Sequence, residues 1–382
     1  MSYEVLKDKT LVHFTTAHTA DDVRIYHREA KLVSSYFKRV IIVAPKTDVK
    51  LEHNVEYKSW GENRPKTRRE RIYVLKEVIK ILKAIDFDIL HFHDPEILLI
   101  LNKIKGDKKI VYDIHENYYG TLFENSGGGL KGFIMKTLYG LAERKYLQSV
   151  DGIVTVTPQL VNFYLKFKKK VCLLRNFPDT QHIIELLPEG KINLKNCNLL
   201  YSGSLEQKSL YPLAIAISSL QKKYPKIKVT LVGDFKNLKE KEKLFDFWKQ
   251  LKVEDRLVHI NRLKRDEFIK SLSSYSAGLV LFYPTKNAQV ALPNKLFEYM
   301  AACLPVVAPD LPNQKEVVEK YRCGTICDTS DASSIANAID KILSEENEAI
   351  QMGLRGREAC RKEYDNQIEI ENLLKFYEEM IR

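Results

Sequence analysis

Eleven short apolar runs alternate with helical periods along the whole chain, and this rhythm restricts the fold more than any other feature. TLVHF (10–14), RVIIVA (39–44), DILHFH (88–93), KIVYDI (109–114), GIVTVT (152–157) and KVCLLRN (170–176) mark the first half. NLLYSG (198–203), KVTLVGD (228–234), RLVHIN (256–261), GLVLFY (278–283) and PVVAPD (305–310) mark the second. Short β-rich runs between amphipathic helices suit strands buried on both faces, as in a parallel sheet covered by helices. Two such series, interrupted at FPDTQHIIELLPEGK (177–191), predict an α/β chain of two doubly wound, Rossmann-like domains. A length of 382 residues with 45% hydrophobic content is enough for two cores.

The net charge of +11 is unevenly placed. Residues 1–180 hold 31 Lys and Arg against 22 Asp and Glu, whereas the remainder holds 30 against 28. An excess confined to one half suits an anionic partner there, either a phosphorylated lipid or an anionic membrane surface. A generic basic surface is the plain alternative. No nucleic acid is expected, because no recognition module interleaves aromatic with basic residues. No apolar run approaches the length of a membrane span. The opening MSYEVLKDKT has neither the apolar core nor the cleavage site of a signal peptide, so a cytoplasmic location is expected. Six scattered cysteines form no CxxC pair and read as reduced, mostly buried thiols.

The stretch PNKLFEYMAACLPVVAPD (293–310) carries the sharpest chemistry. It reads as a loop, a helix with Leu296, Phe297, Met300 and Ala301 on one apolar face, a tight turn and a buried strand. A helix N-terminus offers N–H groups and partial positive charge to an anion. Lys295 adds a full charge there, Asn294 precedes it, and Glu298 adds an acceptor for both hydroxyls of a ribose. Together they suit the two ends of a nucleotide diphosphate. One solvated acid and one solvated base on an ordinary helix is the alternative.

This segment resembles the donor-site helix of retaining glycosyltransferases of family 4, which have the GT-B fold. That family carries two glutamates with seven residues between them. The second falls on Glu298, and the first position is Val290 here. The Pro-Asn-Lys variant resembles a bacterial subgroup that builds cell-surface polysaccharides, in which the lysine replaces some of the missing contacts.

Other segments fit the resemblance. HFTTAHTADDVRIYHRE (13–29) resembles the subgroup's opening motif, with His18, Asp22, Arg24, Arg28 and Glu29. The glycines that usually approach the donor phosphate at this loop are absent, so Arg24 or polar side chains are expected to substitute. A helix cap with solvated charges is the plain reading. DILHFHDPEILL (88–99) places His91, His93, Asp94 and Glu96 at a strand end, and VYDIHENYYG (111–120) places Asp113, His115 and Glu116 at the next. The spacing matches no dedicated metal motif, and the carboxylates are better placed to orient imidazoles. The resemblance puts His115 in the sugar and acceptor region; a structural histidine is the alternative. In LLYSGSLEQKSL (199–210), Gly203 and Lys208 suit a diphosphate site. Ser204 stands where relatives have an arginine. HINRLKRDEF (259–268) resembles the loop that flanks the nucleobase, with Arg262 and Leu263 as candidates. Asp86-Phe87-Asp88 is a DxD sequence before a strand, and is read as coincidence. The basic stretches 63–85 and 129–147 suit either an anionic bilayer or core-facing helices with solvated basic sides.

The resemblance implies an acceptor domain over 1–180, a donor domain over 190–353, and a terminal segment 354–382 crossing back to the first, with an inter-domain cleft. The implied activity is transfer of a sugar, of hexosyltransferase type, to a glycan or lipid-phosphate-linked acceptor in lipopolysaccharide or capsule synthesis. It implies no cofactor beyond a UDP- or GDP-linked co-substrate and no metal, and the basic excess of the first half adds an expected peripheral association at the inner face of the plasma membrane. Lys208, Lys295 and His115 are the expected catalytic residues. Glu298, Asn294, Gly203, Ser204, Arg262 and Leu263 are expected at the donor. His18, Asp22, Arg24, His93, Asp94 and Glu116 are expected on the acceptor side. A nucleotide-sugar epimerase of the same fold and a non-catalytic subunit that binds a glycan or protein are the competing readings.

Overall fold

The computed structural model describes residues 3–382 apart from 48–49, 52–53, 63, 66, 116–132, 134–136, 138–139, 141–142, 206–207, 236, 286–287 and 290, and apart from the side chain of Arg68. Glu116, Val290, Lys66 and most of the 129–147 stretch therefore lie outside the described residues. The chain divides into two compact units, Met1–Asn176 with Asn366–Arg382, and Phe177–Asp365.

The first unit holds seven parallel strands in the order β3-β2-β1-β4-β5-β6-β7. They are β1 (Thr10–Phe14), β2 (Arg39–Ala44), β3 (Val55–Ser59), β4 (Ile89–Phe92), β5 (Lys109–Ile114), β6 (Gly152–Thr155) and β7 (Lys170–Leu173). Alternate residues feed opposite layers, as the period of a strand requires. Val12, Ile41 and Leu90 join one core, while Leu11, Ile42 and Ile89 join the other. Neither face is left to water, which is why the strands read as continuous apolar runs.

The second unit holds six parallel strands in the order β10-β9-β8-β11-β12-β13. They are β8 (Asn198–Ser202), β9 (Lys228–Val232), β10 (Leu257–Ile260), β11 (Ala277–Leu279), β12 (Val306–Pro309) and β13 (Gly324–Cys327). Its two cores are again segregated by face, with Leu199 and Val307 on one side and Leu200 and Val306 on the other. Helices α1 (Thr180–Leu186), α2 (Arg265–Ser271) and α3 (Asn294–Ala301) cover the second face.

The terminal segment expected over 354–382 falls on two helices and not one. Helix α4 (Glu346–Glu363) belongs to the second unit and α5 (Asn366–Ile381) to the first. The break falls at Tyr364–Asp365, where Asp365 Oδ2 accepts from Thr180 N (2.8 Å), Thr180 Oγ1 (2.7 Å) and Gln181 N (2.9 Å). Helix α5 buries Ile370, Leu373, Leu374, Phe376 and Tyr377 in the first unit. Any side chain at Gly152 would collide with Phe376. Buried Glu369 is held by Arg175 through its backbone N–H (2.8 Å), Nε (3.0 Å) and Nη2 (2.6 Å).

The DxD sequence has a structural role. Asp88 Oδ2 accepts from Thr10 N (2.8 Å), and Asp88 Oδ1 pairs with Lys9 at 3.2 Å, which fastens the start of β4 beside β1. All six cysteines are free thiols, five of them buried and Cys197 partly so. Among the described residues no helix is long and apolar enough to cross a membrane.

Candidate functional site

Each unit gathers polar residues at the carboxyl ends of its strands, where open parallel sheets bind ligands. In the second unit β8 runs into Gly203, whose φ of +107° favours glycine. A Cβ there would lie 3.4 Å from Lys295 Nζ, so the ammonium sits directly against this glycine. Lys295 is the second residue of α3. Its Nζ lies 3.9 Å from the Tyr201 ring centroid and 5.3 Å from that of Phe282. Ring faces attract a cation but solvate it less well than water does. Burial accordingly lowers the Lys295 ammonium to about 7, against the opposing pull of Glu298. Tyr201 is held in turn by donating to the Ser204 carbonyl (3.0 Å).

Strand β9 ends at Gly233, whose φ is +149° and where a Cβ would collide with the Gly203 carbonyl. Asp234 follows and accepts from Arg262 N at 3.1 Å, with the Arg262 guanidinium 3.6 Å away. Arg262 is otherwise exposed, and Leu263 packs on the core behind α3. Ser204 and Lys208 are exposed, with Lys208 Nζ 5.7 Å from the Tyr283 centroid. Asn294 opens α3. Glu298 lies one turn further and pairs with Arg265 Nη1 at 2.5 Å. The structure thus brings Lys295 against Gly203 after the end of β8, with Glu298 one turn along the same helix.

In the first unit a buried cluster joins β1, β4, β5 and a π-helix, Val23–Ala30. Such helices recur at functional sites. Asp22 caps it, its Oδ1 accepting from Arg24 N (2.8 Å) and Ile25 N (3.1 Å). Asp22 Oδ2 meets His18 Nδ1 at 3.1 Å, and this bond raises the His18 pKa. Arg24 is buried and grips Asp113 through Nε (2.8 Å) and Nη2 (2.9 Å), while its Nη1 donates to Asn176 Oδ1 (2.6 Å) and the Leu174 carbonyl (3.2 Å). The expectation that Arg24 meets a donor phosphate is therefore corrected: its donors are engaged inside the unit.

Asp113 is the hub. Burial pushes its pKa up, but Arg24 and the hydrogen bonds from His115 and His93 outweigh it and hold the carboxyl well below its usual value. Asp113 Oδ2 lies 3.0 Å from His115 Nε2 and 3.2 Å from His93 Nδ1. Those two nitrogens also lie 3.2 Å from each other. His93 Nε2 meets His13 Nδ1 at 3.2 Å, and His91 Nδ1 meets the Tyr377 hydroxyl at 2.5 Å. Burial lowers the pKa of His13, His91 and His93, so these rings are neutral. Burial and the nearby Asp113 raise the pKa of Glu29.

Asp94 is buried and secures the loop after β1. Its Oδ2 accepts from Thr15 Oγ1 (2.7 Å) and Thr16 N (2.8 Å), and Glu96 accepts from Thr16 Oγ1. His18 and His115 are partly exposed, with ring centroids 6.0 Å apart. They, and not Asp94 or His93, are the groups available to a ligand.

Among the described residues, Glu29, His91, His93 and Asp113 could each turn one donor atom toward a metal ion, with those atoms within 4.8 Å of one another. Tetrahedral ligands at 2.0 Å stand only about 3.3 Å apart. Both Asp113 oxygens already face the Arg24 guanidinium, so a cation occupies this cluster without a metal.

Sequence reasoning missed His13, Tyr377, Tyr201, Phe282, Asp234 and Arg265. Only Arg265, inside HINRLKRDEF, carried a signal, since it continues the run of basic residues beside the proposed nucleobase loop.

Residues 184–359 match the family described as Glycosyl transferases group 1, and residues 37–182 match Glycosyltransferase Family 4. An uncharacterized glycosyltransferase of Haemophilus influenzae is 25% identical over 296 residues, 76% of each protein. Sucrose-phosphate synthase from Thermosynechococcus elongatus superposes with a TM-score of 0.70 at 15% identity, over 97% of this chain and 99% of that one. HepE of Anabaena, in complex with UDP, superposes with a TM-score of 0.71 at 11% identity, over 97% of this chain and all of that one.

Proposed function

We propose that this chain, which belongs to glycosyltransferase family 4 and has the GT-B fold, moves a sugar from a UDP- or GDP-linked donor to a glycan or lipid-linked glycan. The pathway is synthesis of a cell-surface polysaccharide, and the anomeric configuration is retained. The observation that carries this reading is the placement of Lys295 against Gly203, with Glu298 one turn along the same helix. The UDP complex of HepE supports it.

In this account the second unit binds the donor and the first the acceptor. Lys295, Lys208 and the start of α3 meet the diphosphate, and Glu298 accepts the ribose hydroxyls. Arg262 and Leu263 flank the base. The bond from the sugar carbon to the phosphate oxygen breaks as charge builds on the leaving diphosphate, where fixed cations act most strongly. The acceptor oxygen forms the new bond, and its proton passes to the departing phosphate. His115 and His18 orient the acceptor.

If Glu298 holds the ribose, Glu298→Gln weakens nucleotide binding and turnover about ten- to hundred-fold, equivalent to ~1.5–3 kcal/mol for a hydrogen bond to a charged group. Binding and steady-state kinetics on the folded variant check this, and unchanged values remove Glu298 from the site. Excess EDTA is expected to leave transfer intact, because lysines and N–H groups supply the positive charge. Loss of activity in EDTA, restored by manganese or magnesium, contradicts that assignment.

The basic first half is proposed to hold the enzyme at an anionic bilayer bearing the acceptor. Each basic residue near such a surface adds ~1 kcal/mol, screened over about 10 Å at 0.1 M salt. Reversing the charges of Arg64, Lys66, Arg68 and Arg69 together abolishes sedimentation with anionic liposomes and spares donor binding. A native protein that ignores such liposomes at low salt refutes the membrane role.

A further inference from the structure

We infer that Arg265 is a positioning residue that fixes the Glu298 carboxylate for ribose recognition and thereby sets the preference for a ribonucleotide over a deoxyribonucleotide. The inference rests on the proposed role of Glu298. Arg265 Nη1 donates to Glu298 Oε1 at 2.5 Å. The glutamate side chain is 13% exposed and the arginine 46%, so the arginine covers the carboxylate from the solvent side.

Its geometry has a cost to avoid. A carboxylate that accepts two vicinal hydroxyls must present both oxygens in one plane, and a free glutamate holds many rotamers. Each carboxylate oxygen has two lone-pair directions. Arg265 takes one on Oε1 and leaves the other, and the second oxygen, for the two hydroxyls. Both ends of the pair are anchored. Arg265 opens α2, whose Phe268 and Ile269 are buried in the same core as Leu296 and Phe297 of α3 and Ile183 and Ile184 of α1. The next residue, Asp266, meets His182 Nε2 of α1 at 2.9 Å and pins the first turn of α2. The guanidinium is thus supplied from a fixed point, which is what preorganised recognition requires.

The test measures dissociation constants for UDP or GDP, whichever the native protein binds more tightly, and for its 2′-deoxy and 3′-deoxy forms. Native protein is expected to favour the ribonucleotide at least tenfold. Glu298→Gln should bring that ratio near one. Arg265→Ala should lower it three- to tenfold through weaker ribonucleotide binding, with deoxynucleotide binding and melting temperature unchanged. Arg265→Lys, which keeps the charge, should recover part of the loss. The double variant should bind no worse than Glu298→Gln, because the arginine acts through the glutamate. In transfer assays Arg265→Ala should raise the donor KM and leave kcat alone.

A full ratio in Arg265→Ala, with the ratio lost in Glu298→Gln, overturns the inference and leaves the donor site standing. Tighter ribonucleotide binding in Arg265→Ala also overturns it, because the arginine would then obstruct the carboxylate. A full ratio in Glu298→Gln removes the ribose role of Glu298 and the inference with it. Absence of binding of both UDP and GDP by the native protein refutes the UDP- or GDP-linked donor and the inference with it.

Discussion

Replacing Lys295 by methionine is expected to lower kcat about 10²- to 10³-fold, the loss typical of removing one fixed charge or donor aimed at a developing anion. Methionine fits beside the Tyr201 and Phe282 rings and avoids a buried void. The fold should therefore survive, and circular dichroism should match the native protein. The same residue predicts a pH dependence. In the free protein burial holds the Lys295 ammonium at about 7. A bound diphosphate favours the charged form, so binding takes up a proton wherever the free amine is neutral. Donor affinity should then be flat below pH 7 and weaken up to tenfold per unit above it, until the pKa of the complex is reached. Calorimetric titration at several pH values, in buffers of different ionisation heat, reads both affinity and proton uptake. Affinity that does not change between pH 6.5 and 8.5 would contradict a neutral lysine at the site.

Replacing Asp113 by asparagine is expected to cost ~3–5 kcal/mol, because it breaks the bidentate grip on the buried Arg24 guanidinium and leaves it only Glu29, 3.0 Å from its Nε. At roughly 2–4 °C per kcal/mol for a unit of this size, the melting temperature of the first unit falls by roughly 6–20 °C. The second unit should be unaffected. The cluster also makes the first unit acid-sensitive. His13, His91 and His93 are neutral when folded but bind protons when unfolded below about pH 6.5, so each favours the unfolded state as pH falls. Glu29 has the opposite sign. Its folded pKa is raised, so between about 4.5 and that value the folded state holds one proton more. Three histidines outweigh one carboxyl, so stability is lost toward acid as pH falls through about 6.5. Urea unfolding at pH 5, 6 and 7 measures it, and a stability unchanged over that range contradicts the neutral histidine cluster.

Eleven of the thirteen strands among the described residues were legible in the sequence, and the two that were not have a common cause. VEYKS (β3) and GTIC (β13) are both sheet-edge strands. An edge strand has one neighbour and partial exposure, so β3 reads as polar with Glu56 and Lys58, and β13 as a short run opening on glycine. The nearness of Lys295 to Glu298 was legible because one helix carries both at a fixed spacing. The surroundings were not. Tyr201 and Phe282 come from β8 and the segment after β11, and only the sheet order makes them neighbours of Lys295. Arg24 shows the converse failure. A charged residue in a loop after β1 reads as a ligand group, but the fold places Asp113 and Asn176 around it, from distant parts of the chain.

The claim on which the account turns is that the second unit is built to hold a nucleoside diphosphate. Thermal unfolding of the whole chain, followed in EDTA with UDP, GDP, ADP, CDP and TDP in turn, tests it most directly. Ligand at about 100 times its dissociation constant adds ~2.7 kcal/mol to the unit that binds it. For a unit of this size that is a rise of roughly 5–10 °C with at least one of the five. The rise should be much reduced in Glu298→Gln and Lys295→Met, and absent with ribose or sulfate. No shift with any nucleoside diphosphate at millimolar concentration, in a protein that melts cooperatively, would contradict the account.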